Sequence, residues 1–350
     1  MSDAVRAALA AIVEGQSLTR EEARAAMTQV MDGEATPSQI AALLMALRVR
    51  GETVEELTGF ATVMRERVLR VTAPAGAIDV VGTGGDGSGT FNISTAAALV
   101  VAATGVPVAK HGNRAITSAS GSTDVLDALG VTVEQTPDAA AEALREDGFA
   151  FLFAPGFHPA MRHAGPTRRE IGVRTAFNLV GPLTNPAGVR RQLLGVADVT
   201  VAAAIAAVAR ELGTERTFVV CGDRVDELPL DGSGIIHDVR PGGITRQAVT
   251  AADLRQLGLP VVPTEALRGG TPAENARLIE ALLGGAEGPR RAVVVLNAAA
   301  ALQVAGRAAT LRAGTQLAAR TIDSGAAAAL LTRLRARRAA AEAAAPAATA

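Results

Sequence analysis

The sequence predicts an α/β protein in which a small all-helical N-terminal domain precedes a larger α/β domain with a mostly parallel central sheet. Three observations support this fold class. Residues 1–72 place apolar side chains at helical spacing without a β-branched run. From Ile78 onward, short apolar segments alternate with helical ones, as in a parallel sheet covered by helices. With 350 residues, the chain can bury a large core in two domains.

The N-terminal helices carry recognisable start signals. Thr19 and Glu22 are three residues apart, the spacing of a capping box. Thr53 and Glu56 repeat that spacing before the last helix of this region. Between them, Pro37 follows a threonine and occupies the first position of a predicted helix. We therefore expect helices to begin directly after these threonines.

The alternation of strands and helices begins where Pro74 and Gly76 interrupt the helical pattern. Short apolar runs that are typical of buried strands follow one another along the chain. The predicted strands are IDVV, VPVAKHG, VTVE, FAFLFAP, RQLLGVA and RTFVVCG. The helices predicted between the first four are STAAALVVAATG, STDVLDALG and PDAAAEALREDG.

One segment, rich in Pro, Arg and Asn, interrupts this alternation, and we expect it to return to the helical domain. The last residues are low-complexity alanine, which is typical of a frayed helix end and tail. The predicted division is a helical domain at 1–72 joined by about 165–188, an α/β domain at 73–164 and 189–337, and a flexible tail at 338–350.

Composition and charge narrow the classes of function. The chain has a formal net charge of −1 and lacks Tyr and Trp, so no nucleic-acid partner is expected. Its N-terminus does not read as a signal peptide, and no apolar run is long enough to span a membrane. The single cysteine, Cys221, lies in the apolar run TFVVC and is expected to be a buried thiol. These features predict a cytoplasmic protein.

The stretch GTGGDGSGT follows the first predicted strand and matches the glycine pattern of dinucleotide-binding folds at Gly82, Gly84 and Gly87. That pattern needs an acidic residue about 20 residues further on to hold a ribose. The corresponding stretch here, VAKHGNR, is basic. The glycines alone are weak evidence, and a plain structural turn remains an alternative.

Two consecutive strand–loop–helix units present groups that suit phosphate. After the glycine stretch, Asn92, Ser94 and Thr95 bring an amide and two hydroxyls to a helix N-terminus, where free N–H groups favour anions. Either hydroxyl could instead only cap the helix. After the next strand, the stretch KHGNRAITSASGS adds cations, glycines and hydroxyls. Ligands of open parallel sheets bind at such strand ends, so we expect a phosphate-rich ligand.

Asp226 and Glu227 form an adjacent carboxylate pair after the strand RTFVVCG. Such a pair is normally a solvated surface feature. Mg²⁺, however, prefers one or two carboxylates together with phosphate oxygens of a substrate. The two phosphate-type loops therefore favour a magnesium site at this pair.

Taken together, GTGGDG, NIST, KHGNR, HPAMR, RTAFNLVGPLTNPAG and VDE occur in the order and spacing of the anthranilate phosphoribosyltransferase family, which the chain resembles over roughly residues 5–335. The resemblance implies transfer of 5-phosphoribose from phosphoribosyl pyrophosphate to the amine of anthranilate, with Mg²⁺ required. It also implies a fold of the nucleoside phosphorylase and phosphoribosyltransferase type, with a helical domain hinged on the α/β domain, and a homodimer.

The resemblance also assigns roles to individual residues. The pocket for phosphoribosyl pyrophosphate would comprise Gly82, Gly85, Asp86, Thr90, Asn92, Ile93, Ser94, Thr95, Lys110, His111, Gly112, Asn113, Arg114, Thr117, Ser118 and Ser122. Lys110 and His111 are the catalytic candidates. Magnesium would be held by Ser94, Asp226 and Glu227. Anthranilate would meet Asn113 and Arg168, with Arg168 on its carboxylate and His158 along the same path.

Some positions depart from the family pattern. Ala119 stands where many members have a cation, and Thr117 stands where serine is commoner. Three alternatives remain: a pyrimidine nucleoside phosphorylase of similar architecture, a paralogue without anthranilate activity that binds nucleic acid, and a dinucleotide oxidoreductase. The VDE pair argues against the phosphorylase, the presence of Asn113 and Arg168 against the paralogue, and the missing acid against the oxidoreductase.

Overall fold

The computed structural model describes residues 3–114 and 119–344. Its helices are α1 (Ala4–Val13), α2 (Arg20–Met31), α3 (Pro37–Arg50), α4 (Val54–Glu66), α5 (Ile93–Ala103), α6 (Ser122–Ala128), α7 (Pro137–Glu146), α8 (Ala154–Phe157), α9 (Gly165–Ile171), α10 (Ala176–Val180), α11 (Val199–Glu211), α12 (Ala251–Gln256), α13 (Pro272–Leu283), α14 (Pro289–Val304), α15 (Leu311–Asp323) and α16 (Ala326–Ala344). Its strands are β1 (Ile78–Gly82), β2 (Val108–Gly112), β3 (Phe149–Phe153), β4 (Arg191–Gly195), β5 (Arg216–Cys221), β6 (Gly234–Arg240) and β7 (Gly243–Val249).

Helices α2, α3 and α4 begin where the capping signals predict. Thr19 and Thr53 each accept the N–H of a glutamate three residues on, and that glutamate returns the hydrogen bond, so both capping boxes are confirmed. Helix α3 starts at Pro37 behind a third box. The described residues include no helix that combines the length and apolarity needed to cross a membrane.

The return segment, defined here as residues 154–190, packs against this helical bundle. Helix α10 contacts α3 and α4, and α9 contacts α3. Phe177 and Val180 of α10 share one buried core with Phe60 of α4. The chain thus crosses from the sheet to the helices and back. The exact domain boundaries stay a prediction.

The sheet has the order β3-β2-β1-β4-β5-β6-β7, with the first five strands parallel and the last two antiparallel. The prediction of a mostly parallel sheet is confirmed. The predicted strand VTVE is wrong: residues 131–134 form no strand, because Val131 and Val133 satisfy their alternating pattern by packing into the helix-lined core. Helices α5 and α14 cover that face of the sheet and are buried along almost their whole length.

The C-terminal helix continues further than the predicted tail boundary at residue 338. Helix α16 runs to Ala344, and residues 345–350 lie outside the described part of the chain. Arg337 and Arg338 hold this end in place through ion pairs with Asp147 and Asp127. The lone thiol, Cys221, is buried in β5 as expected.

The parallel strands bring three loops to one edge of the sheet. Gly82 at the end of β1 pairs in register with Gly195 at the end of β4. Gly112 ends β2, which lies on the other side of β1. The loops after these strands therefore meet at the carboxyl edge, where open α/β sheets bind ligands.

Candidate active site

The glycine loop, residues 83–90, leaves β1 through left-handed backbone. Gly84 and Gly85 have φ angles of +63° and +62°, which side-chain-bearing residues rarely adopt. At Gly82 a Cβ atom would collide with the carboxylate of Asp226. The glycines thus let the loop turn sharply and let a neighbouring acidic loop approach it, while Gly84 and Gly85 remain exposed.

Asp86 shapes this loop from within. Its Oδ1 accepts hydrogen bonds from the backbone N and the hydroxyl of Ser88, at 3.0 and 2.9 Å. The hydroxyl of Thr90 lies 3.2 Å from that of Ser88. Because Asp86 already accepts these hydrogen bonds within the loop, its predicted contact to a ligand would use the oxygen lone pairs that Ser88 leaves free.

Helix α5 starts beside the glycine loop, and its first turn faces the acidic pair. Asn92 is the N-cap residue, but its side chain contacts Ser120 and Asn275 instead of capping the helix. The backbone N of Ser94 donates to Glu227 Oε1 at 2.9 Å. Neither predicted hydroxyl therefore caps this helix. The carboxylate of Glu227 instead accepts one of the N–H groups at its positive N-terminal end.

Two residues of the predicted pocket do not present their side chains. Ile93 is 2% exposed and belongs to the core under the sheet, and Thr95 is fully buried. Both lie in the first turn of α5, where Ile93 N already donates to Phe91 O at 2.7 Å, so only the backbone N–H of Thr95 remains available to an anion. Thr95 Oγ1 has no hydrogen-bond partner among the described residues.

Lys110 in β2 reaches across to β1 and α5. Its ammonium donates to Val80 O at 2.5 Å and to Ser94 Oγ at 3.3 Å, and the residue is only 1% exposed. Burial lowers the pKa of Lys110, opposed by the negative charges of Asp79 and Glu227. A buried cation is thus held against the N-terminus of α5.

Asp79 lies beneath this lysine in the sheet. Its oxygens accept from the backbone N of His111 at 3.1 Å and from the side-chain amides of Asn185 and Gln192. Burial raises its pKa to about 6, against the effect of these hydrogen bonds and of Lys110. Asp79 therefore fixes the backbone of β2 at His111 and partly balances the lysine charge.

The acidic loop, residues 222–230, brings the predicted carboxylate pair together with both phosphate-type elements. Asp226 Oδ2 accepts from Gly84 N at 2.7 Å, while Glu227 binds the start of α5. Burial and then the charge of Asp86 raise the pKa of Asp226 to about 7. Burial and then Asp226 raise the pKa of Glu227 well above its ordinary value. The burial and closeness of these carboxylates thus disfavour their ionisation, and a bound cation would favour it.

This arrangement fits a divalent cation by its donor chemistry. Asp226, Glu227 and the hydroxyl of Ser94 are hard oxygen donors of the kind that Mg²⁺ prefers. No group of three or more His, Cys, Asp or Glu side chains in residues 3–114 and 119–344 stands close enough together to hold a metal alone. A cation at this point would therefore need oxygens from a substrate as well.

The end of β2 and the loop after it carry the remaining predicted residues. Asn113 is exposed, and its backbone O accepts from Ser122 Oγ at 3.3 Å, which holds the loop against α6. Gly112 is closely backed by Ser122 and Phe151, so a side chain there would not fit. Thr117 and Ser118 lie outside the described residues.

Arg114, also predicted for the pocket, instead meets acidic partners. Its guanidinium lies 3.4 Å from carboxylate oxygens of both Asp124 and Glu134. It also stacks over Phe153 at 5.6 Å from the ring centroid. These contacts hold the Arg114 side chain against Asp124 of α6 and Phe153 of β3.

The return segment brings the imidazole of His158 next to that of His111 in β2, and both rings have unused hydrogen-bonding groups. The rings of His111 and His158 lie 5.2 Å apart between centroids, and Nε2 of each is buried without a partner among the described residues. Burial lowers the pKa of His158 to about 4 and that of His111 well below its ordinary value. His111 is further oriented by a hydrogen bond to the backbone of Gly181. Both rings are therefore neutral at pH 7.

Arg168 of α9 stacks over Phe177, with Cζ 4.8 Å from the ring centroid. Burial lowers its pKa to about 10. No ion pair or hydrogen bond joins its guanidinium to any residue in the described part of the chain. A mostly buried guanidinium without a counter-ion is suited to binding a carboxylate or phosphate from a ligand.

Sequence reasoning missed several residues that position the site. Arg174 donates to the backbone oxygens of Gly84 and Thr83 in the glycine loop. Asn297 of α14 bonds both the N and the O of Leu228, at 3.0 and 2.9 Å, and so holds the acidic loop. Asn185 lies within the quoted TNPAG motif, which is a usable signal. For Asn297, the only signal in the sequence is that a polar residue stands among apolar ones in an alanine-rich helix.

Two family models match the chain. The helical bundle domain of a glycosyl transferase family matches residues 6–68. The a/b domain of a glycosyl transferase family matches residues 75–328. These two ranges agree with the division into N-terminal helices and a sheet-containing part.

Similar proteins cover nearly the whole chain. It is 52% identical over 334 residues to the anthranilate phosphoribosyltransferase of Symbiobacterium thermophilum, which is 95% of this chain and 97% of that protein. A crystal structure of the Thermus thermophilus enzyme of that name is 45% identical, with a TM-score of 0.88 over 96% of this chain and 99% of that one. The Saccharomyces cerevisiae enzyme in complex with PRPP and Mg is 25% identical, with a TM-score of 0.87 over 97% and 99%.

Proposed function

The chain belongs to the anthranilate phosphoribosyltransferase family, and we propose how its residues perform the reaction of that family. The enzyme transfers 5-phosphoribose from phosphoribosyl pyrophosphate to the amine of anthranilate, a step of tryptophan biosynthesis. The relatives support this prediction and not the nucleoside phosphorylase or nucleic-acid-binding alternatives. The residue assignment rests on one observation: the glycine loop, the N-terminus of α5 and buried Lys110 lie together at one edge of the sheet.

The phosphoribosyl pyrophosphate site is proposed to lie along this edge. The backbone N–H groups of Gly85 and Thr95 have no partner among the described residues and are donors for phosphate oxygens, whereas those of Gly84 and Ser94 are bonded to Asp226 and Glu227. Lys110 supplies a cation that is already held in place by Val80 O, so its charge needs little rearrangement. The predicted contacts of Asn92 and Ser122 are supported by their positions at the start of α5 and of α6.

Ser94, Asp226 and Glu227 are the residues that would hold Mg²⁺, which the yeast relative contains together with its PRPP. A bound Mg²⁺ supplies neutralisation of the negative charge that develops on the leaving pyrophosphate. Around it, Glu227 and Asp226 keep the start of α5 and the glycine loop at fixed distances from one another. These carboxylates therefore have both a positioning and a charge-balancing role.

Anthranilate is proposed to lie between the loop after β2 and the return segment. Arg168 would pair with its carboxylate, because this guanidinium is desolvated and lacks a counter-ion among the described residues. Asn113 is exposed and could bond the amine or the carboxylate. The neutral rings of His111 and His158 connect the two regions and add no positive charge beside the developing cation on the ribose.

The chemistry needs positioning more than a strong base. The aryl amine is neutral at pH 7 and can attack the ribose carbon directly as the bond to pyrophosphate breaks. After attack, the nitrogen must lose a proton, and His111 Nε2 is a buried acceptor without another partner in the described structure. Enclosure by the return segment would also exclude water, which would otherwise hydrolyse the activated ribose.

The test is the loss of anthranilate fluorescence with purified protein, phosphoribosyl pyrophosphate and Mg²⁺. We expect rapid loss that stops when EDTA is added and resumes with excess Mg²⁺. A folded protein that binds phosphoribosyl pyrophosphate by calorimetry but leaves the fluorescence unchanged would show that the acceptor assignment is wrong.

A homodimer is also proposed. It is supported by the family resemblance and by Val13 and Val49 in the helical region, which are 79% and 82% exposed although both are large apolar residues. Light scattering should then give twice the chain mass of 35.5 kDa. The location in the cytoplasm and the absence of a nucleic-acid partner stay predictions.

A further inference from the structure

A cavity of about 240 Å³ opens at the start of β4, away from the carboxyl edge. We call it the hinge cavity because helix α4, the linker at residues 67–77 and the end of the return segment all border it. Val71 N donates to Pro186 O at 3.1 Å, so the linker and the return segment run side by side here. Its main lining residues are Arg65, Arg70, Leu183, Gly188, Arg190 and Leu212.

Arg65 forms the inner wall of the hinge cavity. Its Nε donates to Leu183 O at 2.6 Å and its Nη1 to Leu212 O at 3.1 Å, so the guanidinium is fixed in place. Burial, and then the charge of Arg70, lower its pKa to about 10. Its Nη2 has no hydrogen-bond partner among residues 3–114 and 119–344.

Arg70 of the linker faces Arg65 across the cavity. Its Nη2 donates to Arg65 O at 2.7 Å, and its Nη1 stands at ordinary contact distance from the position of a Cβ at Gly188. Neither Arg65 nor Arg70 forms an ion pair with any carboxylate in the described structure. Arg65 is half-buried and Arg70 is exposed, so the two guanidinium groups stand close together without a counter-charge, and an anion between them would offset their repulsion.

The nearby acidic groups are already engaged. Glu215 at the rim pairs with Arg190 and Arg191, at 3.6 and 3.1 Å. Asp79 lies behind Asn185 and Gln192, whose amide nitrogens contact its Oδ2 at 2.8 and 3.3 Å. Among the described residues, no carboxylate therefore enters the lining of the cavity.

We propose that the hinge cavity binds a tetrahedral oxyanion of the phosphate class between Arg65 and Arg70. Such an anion displaces only a few waters of about 30 Å³ each, so it fits the available volume. It accepts from several directions at once, as two guanidinium groups from different segments require. Because Arg65 belongs to α4 and Arg70 to the linker, the anion bridges the helical region and the linker that leads into β1.

The test is a calorimetric titration with inorganic phosphate, using the full chain. Compared with the wild type, Arg70→Ala should lose one binding site, or bind it at least about tenfold more weakly, because a charge-assisted hydrogen bond is removed. Arg67→Ala is the matched control: it removes a linker arginine that pairs with Asp32 outside the cavity. Arg70→Gln, which keeps a donor but not the charge, should bind phosphate with intermediate affinity.

The active site also contains groups for phosphate, and inhibition kinetics separate the two sites. The inhibition constant of phosphate against phosphoribosyl pyrophosphate should be the same in Arg70→Ala and the wild type. A parallel titration with glycerol 3-phosphate distinguishes the source: equal binding indicates a phosphorylated metabolite, and its absence indicates the free ion. Identical phosphate titrations of wild type and Arg70→Ala would overturn the proposal.

Discussion

The carboxyl edge of the sheet and the return segment satisfy their polar groups in different ways. At the edge, Lys110, Asp226 and Glu227 are all bonded to neighbouring backbone or side chains. In the return segment, the guanidinium of Arg168 and Nε2 of His158 have no partner among the described residues. The edge is therefore preorganised before any ligand binds, whereas the return segment has donors and acceptors that a ligand would complete.

The difference follows from how each region is built. Strand register places Gly82 beside Gly195. Because neither glycine has a side chain, the acidic loop can approach both closely. The return segment has only short helices and turns, which pack on the helical bundle through one apolar face. Its polar face is not constrained by a ladder of hydrogen bonds, and we expect it to adjust when a ligand binds.

The largest effect is expected at the preorganised edge. Replacing Asp226 by Asn and Glu227 by Gln keeps their size but removes both charges, so turnover should fall at least about 1,000-fold. The measurement is anthranilate fluorescence across a Mg²⁺ titration. Asp223→Asn, an exposed acid of the same loop, is the control and should leave turnover unchanged. Half of wild-type turnover in the double variant would remove the pair from the site.

A large but more selective effect is expected in the return segment. Arg168→Ala should raise KM for anthranilate roughly 10- to 100-fold, because a charge-assisted pair contributes about 1.5–3 kcal/mol. KM for phosphoribosyl pyrophosphate should stay within about twofold. Arg169→Ala changes the exposed neighbouring arginine and should alter neither constant. An equal rise in both constants would contradict the assigned role.

Much of the fold was predictable because its signals are local. Capping boxes and short apolar strands depend on residues a few positions apart. The VTVE prediction failed because alternation of apolar residues cannot distinguish a strand from a connection buried against helices. The antiparallel pair β6 and β7 was missed although Pro241 and Gly242 between them are a turn signal.

The site was predictable where chemistry follows a strand end, as at Lys110 and Asp226. It was not predictable where a contact joins distant segments. Asp79 looks like any polar residue at the start of a strand, yet it binds side chains more than 100 positions away. Asn297 and Arg174 are equally non-local. Only the tertiary arrangement shows that these side chains hold the loops in place.

A moderate effect on stability is expected from the neutral histidine of the return segment. The pKa of His158 is about 4 in the folded chain and about 6.5 when unfolded, so below pH 6.5 the unfolded state binds more protons. The free energy of unfolding therefore falls as the pH is lowered, by roughly 2 kcal/mol at pH 5 through this residue. Urea unfolding at pH 7 and pH 5 should show that His158→Gln loses this share of the pH dependence.

Other groups titrate in the same range, which is why the comparison with the variant is needed. Burial raises the pKa of Asp79 to about 6, so its contribution has the opposite sign. His163→Gln, in the same segment, serves as the control substitution. If wild type and His158→Gln lost equal stability between pH 7 and pH 5, His158 would not be a buried neutral group in solution.

The smallest effect is expected where the two regions meet. Arg174 belongs to the return segment, but its guanidinium donates to the backbone oxygens of Thr83 and Gly84 in the glycine loop. Removing it should loosen the loop without removing any phosphate donor, so Arg174→Ala should lower kcat about tenfold, the equivalent of one charge-assisted hydrogen bond. Arg174→Lys should restore part of this loss, and Arg162→Ala, an exposed arginine before α9, should cost nothing. A rise in KM for anthranilate alone would instead make Arg174 part of the acceptor site, and the return segment would then be independent of the preorganised edge.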